Sequence, residues 1–207
     1  ETLNKLVDID LRDLRQFMAA ETAVLGVDSF VARTGYTGED GFEIITSSER
    51  VIGLWNQLLQ SGASPCGLGA RDVLRLEAGL LLHGNDMDNS VNPEEAGLGR
   101  FIDPDRPGYL AGPALRRIRA DGPERTLIGF KMIERGIARH GYSINDGATC
   151  IGNVTSGSYS PTLDSNIGLG YVPVRYSNSG TRFHVDVRGR SVEAEVSALP
   201  FYTRRRR

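Results

Sequence analysis

Cysteine, histidine and surplus charge are all scarce in this sequence, and each scarcity removes a class of function. Cys66 and Cys150 are the only cysteines. They stand far apart with no C-x-x-C spacing, so neither a disulfide framework nor a zinc site is implied, and a reducing compartment fits best. Lys+Arg number 24 against 26 for Asp+Glu, a formal charge of −2. That balance supplies none of the basic surface a phosphate backbone requires, and nucleic acid is not an expected partner. No stretch approaches the roughly 18 consecutive apolar residues of a membrane span, and no charged-then-apolar leader opens the chain. The sequence therefore reads as soluble. Its one basic cluster, Arg204 to Arg207, reads as a solvated tail.

What is present is enough to build a core. Of 207 residues, 40% are hydrophobic and 24% charged, the composition of a folding globular chain rather than a disordered one. The length suits one large domain or two modest ones. The chain opens at Glu1 without Met and enters an amphipathic pattern almost at once, so it is expected to begin inside a longer protein.

A change of periodicity divides the chain near residue 105, at the turn-rich Asp103-Pro104-Asp105-Arg106-Pro107-Gly108. Before it, Val7, Leu11, Leu14 and Met18 recur at helical spacing and predict a helix over about 8–20. Strands are predicted at Ser29–Arg33 and Phe42–Ile45, joined by a glycine-rich tip. Ser47 or Ser48 should cap a helix whose Val51, Ile52, Trp55, Leu58 and Leu59 face inward, and a second helix spans about Leu68–Ala78. Beyond the division, a short helix at about Pro113–Ala120 precedes strands at Thr126–Ile133, Thr149–Thr155, Ile167–Val172, Thr181–Val187 and Val192–Leu199. Mixed elements followed by strands alone predict an α+β chain whose second part is an antiparallel sandwich or barrel.

Several motifs fail on spacing. Gly67-Leu68-Gly69 opens like a dinucleotide fingerprint, but Asp72 occupies the third glycine position. The oxygen-rich His83 to Asn89 segment lacks EF-hand spacing, and Ser156 lacks the glycines of a nucleophile elbow. Two constellations remain. Glu39, Asp40 and Glu43 crowd the hairpin tip, where acids either solvate a loop or offer acceptors to a ligand. Arg71 and Arg75 stand four apart on one helix, suited to gripping a carboxylate or equally to an ordinary ion pair.

Six strings decide between these alternatives: RTGYTGEDGFEI (33–44), GLGARDVLRLEAGLLLHGNDMD (67–88), NPEEAGLG (92–99), RGIARHGY (135–142), GNVTSGSYSPTLDSNIGLGYV (152–172) and LPFY (199–202). In this order they closely resemble signatures of the glycine-cleavage aminomethyltransferases, the T-proteins. The resemblance implies three domains around an opening that holds tetrahydrofolate. Residues 1–105 would be the later part of the folate-binding domain and 106–207 a distorted jelly-roll or barrel. It further implies transfer of a methylene group from the aminomethyl-dihydrolipoyl arm of H-protein to tetrahydrofolate, with release of ammonia, in the bacterial cytoplasm or, in a eukaryote, the mitochondrial matrix. Tyr36, Glu43 and Arg71 are the folate-contacting positions it carries over. The family's key Asp belongs to an N-terminal segment outside this sequence, so no residue here is assigned as the general acid or base, and no metal is expected. The folate domain of sarcosine or dimethylglycine dehydrogenases, a folate-dependent demethylase and a non-catalytic folate-binding or scaffold fragment are the alternatives.

Overall fold

Two residues in the left-handed region, Leu25 (φ 53) and Gly26 (φ 72), turn the first hairpin. Positive φ at both central positions gives the mirror-type turn whose twist matches that of the flanking strands. They join β1 (Ala19–Val24) to β2 (Val27–Ala32), with Val24 opposite Val27. Across the glycine-rich tip, β2 pairs antiparallel with β3 (Glu43–Ile45), so β2 is the central strand of three. The computed structural model describes residues 2–204. Arg205–Arg207 of the basic tail lie outside the described residues.

The chain divides into two units, Glu1–Asp72 and Val73–Arg207. In the first, the inner sheet face places Val24 and Val31 against Leu11 and Leu54, with Phe42, Ile44 and Leu58 alongside. Leu54 and Leu58 belong to α1 (Ser48–Gln60). Ser47 is its N-cap residue but makes no side-chain cap hydrogen bond.

Two expectations fail here. Residues 8–18 form turns, not a helix. Their backbone finds partners elsewhere: the Leu11 amide donates to Asn4 Oδ1 at 2.6 Å, and Arg33 Nη1 donates to the Leu14 carbonyl at 2.8 Å. Val7 bridges to Val24, and Phe17 takes φ 66, which ends any helical run. The helical spacing reflected burial of Leu11 in an irregular segment. On α1, Leu54 is the buried residue, whereas Val51, Ile52 and Trp55 are about half exposed or more, so the apolar stripe is wider than the sheet it packs on.

The division between units falls within α2 (Leu68–Glu77). The second unit continues through α3 (Gly112–Asp121) into six strands: β4 (Arg125–Met132), β5 (Ser143–Asp146), β6 (Thr149–Ser160), β7 (Ser165–Pro173), β8 (Arg182–Val187) and β9 (Arg190–Ser197). They close as an antiparallel barrel in the order β4-β7-β6-β5-β8-β9, sealed by β4 against β9. The α+β arrangement and the barrel are as expected. Among the barrel strands, only β5 has no predicted counterpart, because Ser-Ile-Asn-Asp carries a single apolar residue.

The barrel interior holds Phe130, Ile144, Val154, Phe183, Val185 and Val192, with Phe130 and Phe183 edge-to-face at 5.4 Å. β7 is buried on both faces: Ile167 and Leu169 point outward against Leu76, Leu127 and Phe201. That double burial explains its nearly continuous apolar sequence. Glycines let the wall close. A Cβ at Gly152 would overlap the Tyr171 carbonyl oxygen on β7, and one at Gly168 would enter the Phe130 ring.

Gly152→Ala is expected to lower the unfolding free energy by about 3 kcal/mol, the upper end of overpacking costs. Gly189→Ala should cost about 1 kcal/mol, since that site has φ +82 but open space around it. Urea denaturation of the two variants checks the difference.

Candidate functional site

An ion pair between Arg33 and Asp40 braces the glycine-rich tip between β2 and β3. Arg33 grips Asp40 with two parallel bonds, Nε to Oδ1 and Nη2 to Oδ2, each 2.9 Å, and its guanidinium lies 5.8 Å from the Phe42 ring centroid. Such a fork-to-fork contact fixes geometry as well as charge. Asp40 thus shapes the loop.

Tyr36 sits half-buried on this tip, and the Arg71 guanidinium lies over its ring at 4.7 Å. Stacking on an aromatic face steadies a guanidinium while leaving its N–H groups pointing outward. Arg71 is exposed on α2 and forms no ion pair with a described residue. Glu43 opens β3, opposite Ala32, and is likewise exposed with no hydrogen-bond partner among the described residues. The fold therefore brings Tyr36 and Arg71 together. No hydrogen bond or ion pair links Glu43 to either, and none of the three lines the surface hollows of about 650, 330 and 450 Å³.

The neighbouring arginine has a different task. Arg75 is 2% exposed and Asp86 fully buried; Arg75 Nη1 meets Asp86 Oδ2 at 2.5 Å and Nη2 donates to Ser156 Oγ at 2.8 Å. Asp86 also accepts from Thr155 Oγ1 and from the Leu82 amide, at 2.5 and 2.8 Å. The Tyr171 hydroxyl donates to the Asp86 carbonyl at 2.8 Å, and burial pushes that phenol far above its ordinary range, so it remains a donor. Two residues past Arg75, buried Glu77 accepts from Ser160 Oγ and Thr162 Oγ1 at 2.5 and 2.9 Å. The 92–99 string is a second clamp. Asn92 Oδ1 accepts the Glu94 and Glu95 amides while Glu95 Oε2 accepts the Asn92 amide, each at 3.0 Å. Glu94 then binds Arg119 of α3 at 2.6 Å and Glu95 binds Arg125 of β4 at 2.9 Å.

Comparison with known proteins places this geometry. A family model described as the GCVT N-terminal domain matches residues 1–106, and one for the glycine cleavage T-protein C-terminal barrel domain matches 125–203. The chain belongs to the glycine cleavage T-protein family. The T-protein relatives include an aminomethyltransferase of Thermosynechococcus vestitus, 47% identical over 205 residues that cover 99% of this chain and 56% of the relative. A protein described as a probable aminomethyltransferase of Natronomonas pharaonis is 48% identical, covering 98% and 56%. The crystal structure of the glycine cleavage system aminomethyltransferase T from Bartonella henselae superposes with a TM-score of 0.86 at 35% identity, over 92% of this chain and 54% of that one. The chain thus spans about half the length of the T-protein relatives it matches.

Much of what the family strings contain is scaffold: Arg75, Glu77, Asp86, Thr155, Ser156, Ser160, Glu94 and Glu95 are used up inside the fold. In the sequence, Arg75 suits a carboxylate grip and an ordinary ion pair equally, and Glu77 stands more than 80 residues from Ser160 and Thr162. The available signal was charge within an apolar helical run, which marks a buried polar group that must be paired. Asp86→Ala should cost about 3–5 kcal/mol by stranding Arg75, whereas exposed Arg71→Ala should cost no more than about 0.5 kcal/mol. Chemical denaturation distinguishes the scaffolding arginine from the exposed one.

Proposed function

We infer that this chain is part of a tetrahydrofolate-dependent aminomethyltransferase. In the whole protein, the methylene group of the aminomethyl-dihydrolipoyl arm of H-protein passes to tetrahydrofolate and ammonia leaves. Residues 1–105 contribute to the folate-binding domain and 106–207 form the accompanying barrel domain. The protein works in the cytoplasm, or in the mitochondrial matrix of a eukaryote. No helix among the described residues is long and apolar enough to cross a membrane.

The observation that carries the reading is the Arg71–Tyr36 stack, set in a chain of this family. An exposed guanidinium, oriented on an aromatic face and not ion-paired with an acid among the described residues, is chemically prepared for a carboxylate. We assign it to the glutamyl tail of the folate. Tyr36 packs on or hydrogen-bonds the ligand through the same ring and hydroxyl group. Glu43 accepts from the amino and ring N–H groups of the pterin, a planar donor pair that suits a carboxylate. Beside it, Ala32 and Ala19 lie in the same cross-strand row, leaving the surface next to the carboxylate low.

These three residues bind and orient. None is assigned the proton transfer, which the resemblance gives to an Asp outside this sequence; Asp40, tied to Arg33, and Asp86, fully buried, do not stand in for it. The 207-residue chain alone is therefore expected to lack methylene transfer and to bind tetrahydrofolate more weakly than micromolar, as read by calorimetric titration. In the full-length enzyme, Glu43→Ala or Arg71→Ala should weaken folate binding about 10- to 100-fold, the loss of one charge-assisted contact, with thermal unfolding unchanged. Unaltered affinity in both variants removes them from the site.

A further inference from the structure

The tip between β2 and β3 has little in its own backbone to hold it. Residues 34–41 cross from strand to strand through bends without a hydrogen-bonded turn, Gly35, Gly38 and Gly41 are among them, and Gly38 lies in the left-handed region at φ 75. Glycine has more conformational freedom to lose than any other residue, so such a segment is not fixed by its own chain. Arg33 supplies the constraint. Its backbone is tied across the end of the sheet, donating to the Met18 carbonyl and accepting from the Phe17 amide, each at 2.9 Å. From that anchor the guanidinium reaches three places: the Asp40 carboxylate at the far side of the tip, the Leu14 carbonyl at 2.8 Å and the Phe42 ring at 5.8 Å. Tyr36 lies inside the span that Arg33 and Asp40 close, and Glu43 directly follows Phe42.

We propose that Arg33 and Asp40 are positioning residues for the folate, setting Tyr36 and Glu43 in place before the ligand arrives. This role rests on the folate reading and adds to it a pair that touches no ligand. Exposure separates it from a scaffolding role: the two side chains are 25% and 34% exposed, and ion pairs so wetted contribute little to global stability. What the fork controls is local. Ordering a glycine-rich tip during binding weakens affinity, and a tip ordered beforehand avoids that loss. Bound tetrahydrofolate at saturation restores the order itself, so loss of the fork shows in affinity and not in turnover.

Asp40→Asn keeps the shape of the side chain and removes its charge. In the 207-residue chain, backbone order parameters from NMR relaxation at Gly35, Gly38 and Gly41 should fall from about 0.85, the value of rigid backbone, to below about 0.6, with thermal unfolding unchanged. In the full-length enzyme the same variant should raise Kd and KM for tetrahydrofolate about tenfold while kcat stays within about twofold. Arg33→Lys, which keeps the charge but loses the fork, should do the same. Unchanged order at the three glycines overturns the proposal, as does a kcat that falls as far as kcat/KM. A variant that unfolds early in place of loosening the tip overturns it too, since the pair would then be scaffold. Glu43→Ala and Arg71→Ala, measured alongside, separate two failures. If they weaken folate binding and Asp40→Asn does not, the positioning role alone is lost; if neither weakens it, the folate reading falls and this role with it.

Discussion

The ion pair between Arg75 and Asp86 is the constraint from which the second unit is organised. Two charges out of contact with water are tolerable only when every remaining donor and acceptor is used, and here Ser156, Thr155 and the Leu82 amide complete the set. Those partners come from the loop after α2 and from β6. One buried pair therefore fixes the end of a helix, the loop that follows it and the barrel wall together. Glu77 repeats the device two residues on, binding Ser160 and Thr162 at the far end of β6. Specificity of arrangement, more than net stabilisation, is what such a pair supplies.

Arg71, four residues before Arg75 in the sequence, stacks on the Tyr36 ring and meets no acid among the described residues. The two arginines look alike in sequence, yet one is buried in an ion pair and the other is exposed on an aromatic face. The acids divide in the same way. Asp40 is tied to Arg33 and Asp86 to Arg75, while Glu43 stands on an open sheet face with its acceptors unspent. Among the described residues, Arg71 and Glu43 are thus set apart from the acids and arginines that the fold pairs internally.

The first unit shows the opposite economy. The outer face of its sheet sets Phe30 and Ile45 among Glu21, Asp28 and Glu43, and α1 exposes Val51, Ile52 and Trp55 beyond what Leu54 and Leu58 need to cover the inner face. The barrel unit, by contrast, fills its own interior and covers the outer side of β7 with Leu76 and Phe201.

Local signals alone settled the barrel strands, the α2 and α3 helices, the β2–β3 hairpin and the family, because alternation, glycine turns and ordered strings are written in neighbouring residues. They misread residues 8–20, where an irregular segment buries Leu11 at helical intervals and bonds its backbone to Asn4 and Arg33. They also missed β1, since its turn places Leu25 where asparagine or aspartate would have signalled a hairpin. Only the tertiary structure decided which charges are spent. Arg75 and Asp86 are 11 residues apart and Arg75 and Ser156 81 apart, so the partners that take up the buried arginine are not written in its neighbouring residues.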